Sequence, residues 1–561
     1  MTRQNFSEID IFAAHFKERV VVPRGLDSSV LRTHFYEIAG SRENALEVFT
    51  YTDQLSYDPG QTVRFHSHTT APSFVLEIIK TGRAPKLVHR VEIKGTRRET
   101  PARASVEGCN WPVTYTWDVP HELAPGAYLV RSVVQVANGT PIDQFHMLFV
   151  RPSRLNAPTR SKRLLLIACT ATWTAYNCWG GSSHYAGLEG ANGDELAPIL
   201  SLQRPFERGL IWLPCGAPRI GVREAPGPGA VPQTQYPSMT WAFAWGYARY
   251  YAASGWAQYE QHFLAWAEAN GYVVDVISQT DLHFRPELLD GYRCVTIVGH
   301  DEYWSWQMRD NIERFIEGGG NVARFGANFM WQVRLENEGA RQVCYKFWAA
   351  ENDPIHATRD KHLTTSAWED PVVGRPGATT FGLNGFRGIY SGFGGLAPRA
   401  SGGFTVYRPS HWAFDRTTLG YGDVFGSQAK VCSYEVDGVE YDMRRGLPFA
   451  TGADGAPKDL EIIAMAPATL REHDFKLPGG TVYIGDADVG FKAIILHGEA
   501  TPESISACEN GAAMVATFRM GKGTVFNAGS CEWVCGLMHQ EAFTQMITQN
   551  VLDRFLNAEI A

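Results

Sequence analysis

A short β-branched run that breaks off into three ionisable residues sets the tightest limit on how this chain folds. Arg293-Cys294-Val295-Thr296-Ile297-Val298 reads as a buried strand. Gly299-His300-Asp301-Glu302-Tyr303-Trp304 follows at once. Beyond it Trp306, Arg309, Ile312, Phe315 and Ile316 recur at helical spacing, and Gly318-Gly319-Gly320 closes the helix. The His, Asp and Glu therefore stand at the carboxyl end of a strand, where a helix begins and where open α/β sheets bind ligands. Asp301 could serve simply as the helix N-cap. His300 and Glu302 have no such use, because charge at a crowded strand end is costly unless paired or holding a metal.

The rest of the chain gives this strand a setting. With 561 residues there is room for two to four domains. A net charge of −8 with no polybasic block argues against nucleic acid or an anionic membrane as partner. Met1 to Arg24 lacks the apolar core of a signal peptide, and no run approaches the length of a membrane span, so a soluble, cytoplasmic protein is expected. Sixteen Trp and an aromatic content of 12% suggest aromatic-lined pockets. The ten Cys hold no CxxC pair; Cys531-Glu-Trp-Val-Cys535 is the one close pair, and all ten read as reduced and mostly structural.

Residues 1–44 read as an N-terminal arm with an amphipathic helix over Ile9 to Val20. Residues 45–155 read as an all-β, immunoglobulin-like sandwich. Its short strands are separated by Asp58-Pro59-Gly60, Ala124-Pro125-Gly126 and Asn138-Gly139, the last a hairpin signal. His66 and His68 share one strand face, a possible metal pair without an apparent third ligand. A polar linker leads to Leu164–Cys169, the first strand of a second domain, residues 160–561. There, strands alternate with helices (Trp256 to Asn270, Tyr272 to Ser278, Asn321 to Gly326, Gln540 to Leu556). The expected fold is α/β, a mainly parallel sheet with flanking helices, resembling that of glutamine amidotransferases. Two insertions interrupt it: an aromatic arm at about 208–255, expected to be ordered, and a Gly-rich, β-containing stretch at about 350–510.

Polar groups collect at the strand ends of this domain. The first strand runs into a loop bearing Tyr176 and Tyr185, the next gives Asp281 and His283, then come His300 and Glu302, then Asn328. One active-site edge is expected. A serine or cysteine hydrolase would need a nucleophile at the turn, but Gly299-His-Asp-Glu-Tyr has no Ser or Cys there. A glycosidase-like carboxylate pair, Glu302 with Glu435, finds no support in spacing.

Several stretches in order carry a more specific resemblance. They are Thr174-Ala-Tyr176-Asn177, Gly180-Gly181-Ser-Ser-His-Tyr185, Arg204-Pro205-Phe206, Gly299 to Trp304, Gly326-Ala-Asn328-Phe-Met-Trp331, His411-Trp412, Gly422 to Gly426 and Gly523 to Gly529. Together, over roughly residues 160 to 560, the chain resembles the catalytic region of the N,N-dimethylformamidase large (beta) subunit family. The resemblance implies an iron-dependent amide hydrolase acting on a small amide or N-substituted formamide. It implies one ferric ion per chain, held by Tyr176, Tyr185 and Glu302, with Tyr236 and Tyr247 as alternatives to Tyr185. It places His300 beside the metal, Asn328 near the substrate and Glu435 as a proton-transfer group. Phenolate and carboxylate are hard donors suited to a hard cation. The family carries a larger N-terminal region and a small partner subunit; this chain has only the sandwich, which speaks against that subunit, and a homo-oligomer is expected. Phe206 stands where many relatives show Tyr, so a differently shaped pocket is expected. The other reading is a non-catalytic α/β protein binding a small molecule or a partner; a third keeps a hydrolase with a different metal.

Overall fold

The computed structural model describes residues 37–40, 45–137, 139–153, 159–187, 196–220, 238, 241–242, 245–391, 401–469 and 486–557. The helix expected over Ile9 to Val20, Asn138 of the hairpin signal and Tyr236 lie outside these residues.

Two sheets packed face to face occupy the first part of the chain. Strands Val48–Thr52, Thr62–Thr69 and Val113–Asp118 make a three-stranded antiparallel sheet. Strands Ser56–Tyr57, Ile142–Val150, Gly126–Val134, Ser73–Lys80 and Lys86–Lys94 make a five-stranded one, antiparallel except for its first pair. Alternation along the strands sends Val63, Phe65, Leu76, Ile78, Val130 and Leu148 into a shared core. Lys86–Lys94 escapes a reading from sequence because only Ile93 is buried; its Lys, Arg and Glu suit an edge strand that must refuse further pairing. The opposite face of the five-stranded sheet is also apolar: Ile79, Leu129, Met147 and Phe149 join the core that surrounds strand Leu164–Ala168.

The second part is built on an eleven-stranded sheet that is mixed, which corrects the expectation of a mainly parallel, glutamine-amidotransferase-like α/β fold. Strands Val274–Ser278, Leu164–Ala168, Cys294–His300, Asn321–Ala327 and Gly523–Asn527 run parallel. From there on, Asn510–Met520, Glu461–Thr469, Ile389–Ser391 and Tyr434–Gly438 are joined by antiparallel pairings. The reason is local. Met520 pairs directly with Gly523, so only Gly521 and Lys522 connect two strands, and so tight a turn permits antiparallel pairing alone. Helical crossovers dictate the parallel half; hairpins in the glycine-rich part of the sequence dictate the rest. A four-stranded sheet, Ile199–Ser201, Arg341–Val343, Trp331–Glu336 and Tyr303–Ser305, covers the carboxyl edge of the parallel strands. No helix among the described residues is long and apolar enough to cross a membrane.

Strand Cys294–His300 is buried along its whole length. Gly299 is required at its end: its φ is +82, and a Cβ there would collide with the Tyr259 ring. The following helix, Trp306–Glu317, is capped by Ser305, whose hydroxyl accepts from the Met308 amide at 3.2 Å. Asp301 is therefore not the cap.

Candidate active site

Asp301 and Glu302 are neighbours in sequence and part company in space. Asp301 turns under the sheet to Arg324 on the adjacent strand, which donates to it through Nε at 2.8 Å and Nη2 at 2.5 Å. The same guanidinium donates to Asp437 at 2.5 Å. Asp437 also accepts from the Asn328 amide at 2.8 Å, which holds Asn328 at φ +64, a strained value for a residue other than glycine. Burial would lower the Arg324 pKa, but the two aspartates drive it upward.

Glu302 faces the other way. Its carboxylate accepts from the Tyr176 hydroxyl at 3.0 Å, from the Tyr185 hydroxyl at 2.6 Å and from the Trp331 indole at 2.7 Å. The two tyrosine rings stack, with centroids 4.3 Å apart. His300 Nε2 lies 3.3 Å from Glu302 and 2.6 Å from Glu435, while its Nδ1 meets the Ala253 carbonyl at 2.7 Å. Since a carbonyl only accepts, Nδ1 carries a proton and Nε2 is the nitrogen that serves the carboxylates. Asn328 donates to Glu435 at 2.7 Å and stands 3.2 Å from His300 Nε2. Tyr176, His300, Glu302, Asn328 and Glu435 are all buried, and Tyr185 is partly exposed.

Chain geometry explains the gathering. Tyr176 ends the helix Thr170–Tyr176 that follows strand Leu164–Ala168, and Asn328 follows strand Asn321–Ala327. Glu435 and Asp437 share one face of strand Tyr434–Gly438, two residues apart, so one reaches His300 while the other reaches Arg324. The Tyr185 loop is braced from Arg204-Pro205-Phe206. Asn177 donates to the Pro205 carbonyl at 2.9 Å, and Arg204 donates to the Trp179 and Ser182 carbonyls.

Burial dominates the electrostatics. It raises the Tyr176 and Tyr185 hydroxyls above the usual phenol range, and the Glu302 charge adds to this. Glu302 is likewise pushed up by burial and by Glu435, with His300 opposing. For His300, burial alone would lower the pKa, yet Glu435 and Glu302 raise it to about 9. Neutral phenols thus donate into a buried carboxylate, and one imidazole proton is held between carboxylates.

Other expected members go elsewhere. Asp281 accepts from Ser56 at 2.6 Å and from Arg151 at 2.6 Å, tying the sandwich to the sheet, and it closes the capping box of Ser278. His283 bonds the Ser305 hydroxyl at 2.7 Å. His66 and His68 bond the Trp111 carbonyl and Glu47 separately, inside the sandwich. Tyr247 packs on Trp241 and Tyr251; of that aromatic stretch it is Tyr250 whose ring lies beside both site tyrosines, 5.9 Å from each.

Four neighbours were missed. The Tyr303 hydroxyl donates to Tyr185 at 2.7 Å, and the Trp331 indole fixes Glu302. Both belong to the motifs already singled out, so their position was a usable signal. Lys346, at φ +51, sets its ammonium 3.5 Å from the Tyr185 ring centroid and 5.0 Å from that of Trp331. Cys531 lies with His300 and Glu435, the three ligand-capable atoms falling within 4.8 Å of one another. Nothing local in the sequence marks either residue.

Fold and site together define a sheet protein whose buried phenols, carboxylates and imidazole meet at one strand edge. Residues 80–546 match the family model described as "N,N-dimethylformamidase beta subunit-like, C-terminal", and the chain belongs to that family. It is 31% identical over 202 residues to the N,N-dimethylformamidase beta subunit of Paracoccus aminophilus, covering 36% of this chain and 24% of that protein. It is 29% identical over 210 residues to the protein of the same name from an Alcaligenes species, covering 37% and 25%. The chain thus spans about a quarter of the length of these relatives. Among solved structures, the sporulation control protein Spo0M of Bacillus subtilis is similar at 13% identity and a TM-score of 0.15, over 21% of this chain and 55% of that one. A likeness that slight carries no argument.

Proposed function

We propose that this chain is a metal-dependent amide hydrolase of the dimethylformamidase kind, with one ferric ion bound by Tyr176, Tyr185 and Glu302. The observation that carries the reading is the pair of tyrosine hydroxyls converging on one buried carboxylate at 2.6 and 3.0 Å. The donor set fits such an ion: three hard oxygens, each anionic once its proton is lost, whose summed charge offsets a trivalent cation. When bound, the ion supplies Lewis acidity toward an amide oxygen and a water.

The residues around it divide the remaining work. Trp331 fixes the Glu302 carboxylate, and Ala253 fixes the His300 ring, leaving Nε2 as the position where a proton is taken up or given. Glu435, 2.6 Å away, exchanges that proton and delivers it to the departing amine nitrogen. Asn328 keeps Glu435 aligned and presents its amide toward the substrate. Net, water adds across the carbon–nitrogen bond: the acyl carbon gains the hydroxyl and the nitrogen gains the proton. The substrate class is a small amide or N-substituted formamide.

The matched relatives are named as subunits, and we extend assembly to this chain as a soluble, cytoplasmic oligomer, first of its own copies. The test is metal analysis, a visible spectrum and amine release from N,N-dimethylformamide on the purified protein. Stoichiometric iron, a tyrosinate charge-transfer band and amine release are expected. Colourless protein that takes up no iron on reconstitution, or stoichiometric zinc in protein without iron, overturns the reading.

A further inference from the structure

The pocket holds a second donor set of different character, beyond the reading above. Cys531 follows strand Gly523–Asn527 on a connection tied to strand Tyr434–Gly438 by a bridge between Val436 and Ser530. Its amide donates to the Glu435 carbonyl at 3.1 Å, which fixes the residue beside that strand. The thiol is fully buried and makes a long donation to the Ala327 carbonyl at 3.5 Å. Of the ten free cysteines it alone, among the described residues, stands in a cluster with a histidine and a carboxylate.

We propose that Cys531 Sγ, His300 Nε2 and Glu435 form a binding site for a borderline-soft divalent cation of the zinc type. Thiolate, imidazole and carboxylate are the donors zinc and cobalt prefer, each at about 2.0–2.3 Å, which places such atoms roughly 4 Å or less from one another. The three atoms here already lie within 4.8 Å. Side-chain shifts of about an ångström draw the thiol in and part Nε2 from the Glu435 oxygen, now 2.6 Å away, and a water completes four-coordination.

Binding releases the thiol proton, which passes to solvent, and a thiolate and a carboxylate then offset the two charges of the ion. Hardness keeps the two sets apart: the phenol–carboxylate oxygens of Tyr176, Tyr185 and Glu302 favour a hard trivalent ion, the thiol a softer one. His300 borders both, 3.3 Å from Glu302 and 2.6 Å from Glu435. The site is therefore inhibitory, because a cation on it withdraws the pair that moves protons. That last clause rests on the proposed function; the binding site does not.

The test is titration of the protein as purified with cobalt(II), followed by a zinc chase, read as difference spectra. A thiolate-to-cobalt band at one equivalent is expected, bleached by zinc, absent in Cys531→Ala and Cys531→Ser, and retained in Cys215→Ser, whose cysteine is exposed. Wild-type protein with no thiolate band at saturating cobalt overturns the proposal even if the Cys531 variants fail to fold. So does a band that survives Cys531→Ala. Zinc inhibition of amide hydrolysis should weaken at least about tenfold in Cys531→Ala, the scale on which lost metal-site contacts act. A cobalt band in protein that zinc does not inhibit supports the site and counts instead against the roles given to His300 and Glu435.

Discussion

Two buried ionic clusters meet at the end of one strand, and they are built on opposite principles. Around Arg324, one guanidinium faces Asp301 and Asp437, and the carboxylates take further donors from Asn328 and Phe329. Its hydrogen bonds come from a fixed cation and from backbone amides. Around Glu302, the donors are two phenol hydroxyls and an indole, with a protonated imidazole between Glu302 and Glu435. There the acids are held by protons that a cation can replace. Asp301 and Glu302 differ by one position and one methylene, yet the turn between strands Cys294–His300 and Tyr303–Ser305 sends one side chain to Arg324 and the other to the two tyrosines. Burial alone does not mark a site; the exchangeability of what neutralises the charge does.

Breaking the closed cluster should have the largest effect. Arg324→Met leaves two aspartates buried without their cation and should cost about 3–5 kcal/mol of stability, read by denaturant unfolding. Adding Asp301→Asn and Asp437→Asn should recover much of this. A mild single-mutant phenotype would erase the distinction drawn between the clusters.

In the open cluster, Glu435→Gln should leave iron content and colour at wild-type levels while turnover falls about 10²-fold or more, the usual worth of a positioned proton-transfer group. Loss of iron together with turnover would make Glu435 a ligand rather than a proton carrier.

A third buried acid sharpens the contrast. Glu260 accepts from the Cys169 amide at 2.9 Å and from the Trp173 indole at 3.2 Å through one oxygen, while its other oxygen has no hydrogen-bond partner among the described residues. Burial raises its pKa from 4.5 to about 7. Between those values the folded chain keeps a proton that the unfolded chain has released. Its stabilising contribution is therefore complete below pH 4.5 and is lost as pH rises through about 7. Glu260→Gln should flatten melting temperature against pH across that window and leave the variant more stable on the alkaline side, by on the order of 2 kcal/mol. An unchanged slope would show that a lone buried acid here is not strained by its charge.

The smallest effect concerns stability at the site itself. In chelator-treated protein, Glu302→Gln should change unfolding free energy by no more than about 1 kcal/mol, since the amide keeps an acceptor oxygen for the buried donors and removes one acid from an acid-rich cluster. A loss like that of Arg324→Met would make Glu302 a structural residue.

Much of this site could be read from sequence because Tyr176, His300, Glu302 and Asn328 all follow parallel strands whose apolar runs are conspicuous. The same logic misassigned Asp281 and His283, which follow an equally clear strand but turn to the sandwich and to Ser305. Glu435 came only from family resemblance, and Lys346 and Cys531 not at all. Glu435 and Lys346 come from the antiparallel half and from the chain just past the four-stranded sheet, whose pairing partners are far apart in sequence, and Cys531 lies just past the last parallel strand, Gly523–Asn527. The fold failed at the same place: helices between strands suggested a parallel sheet throughout, while the Gly521-Lys522 turn shows why it reverses.

The central claim, that two phenols and one carboxylate hold a ferric ion, is tested most directly by iron content and visible absorbance of Tyr176→Phe. The substitution keeps the ring that stacks on Tyr185 and removes only the oxygen 3.0 Å from Glu302. Folded protein with iron and the tyrosinate band both sharply reduced is the predicted result. Wild-type iron with an unaltered band in that variant would contradict the assignment, whatever the effect on amide hydrolysis.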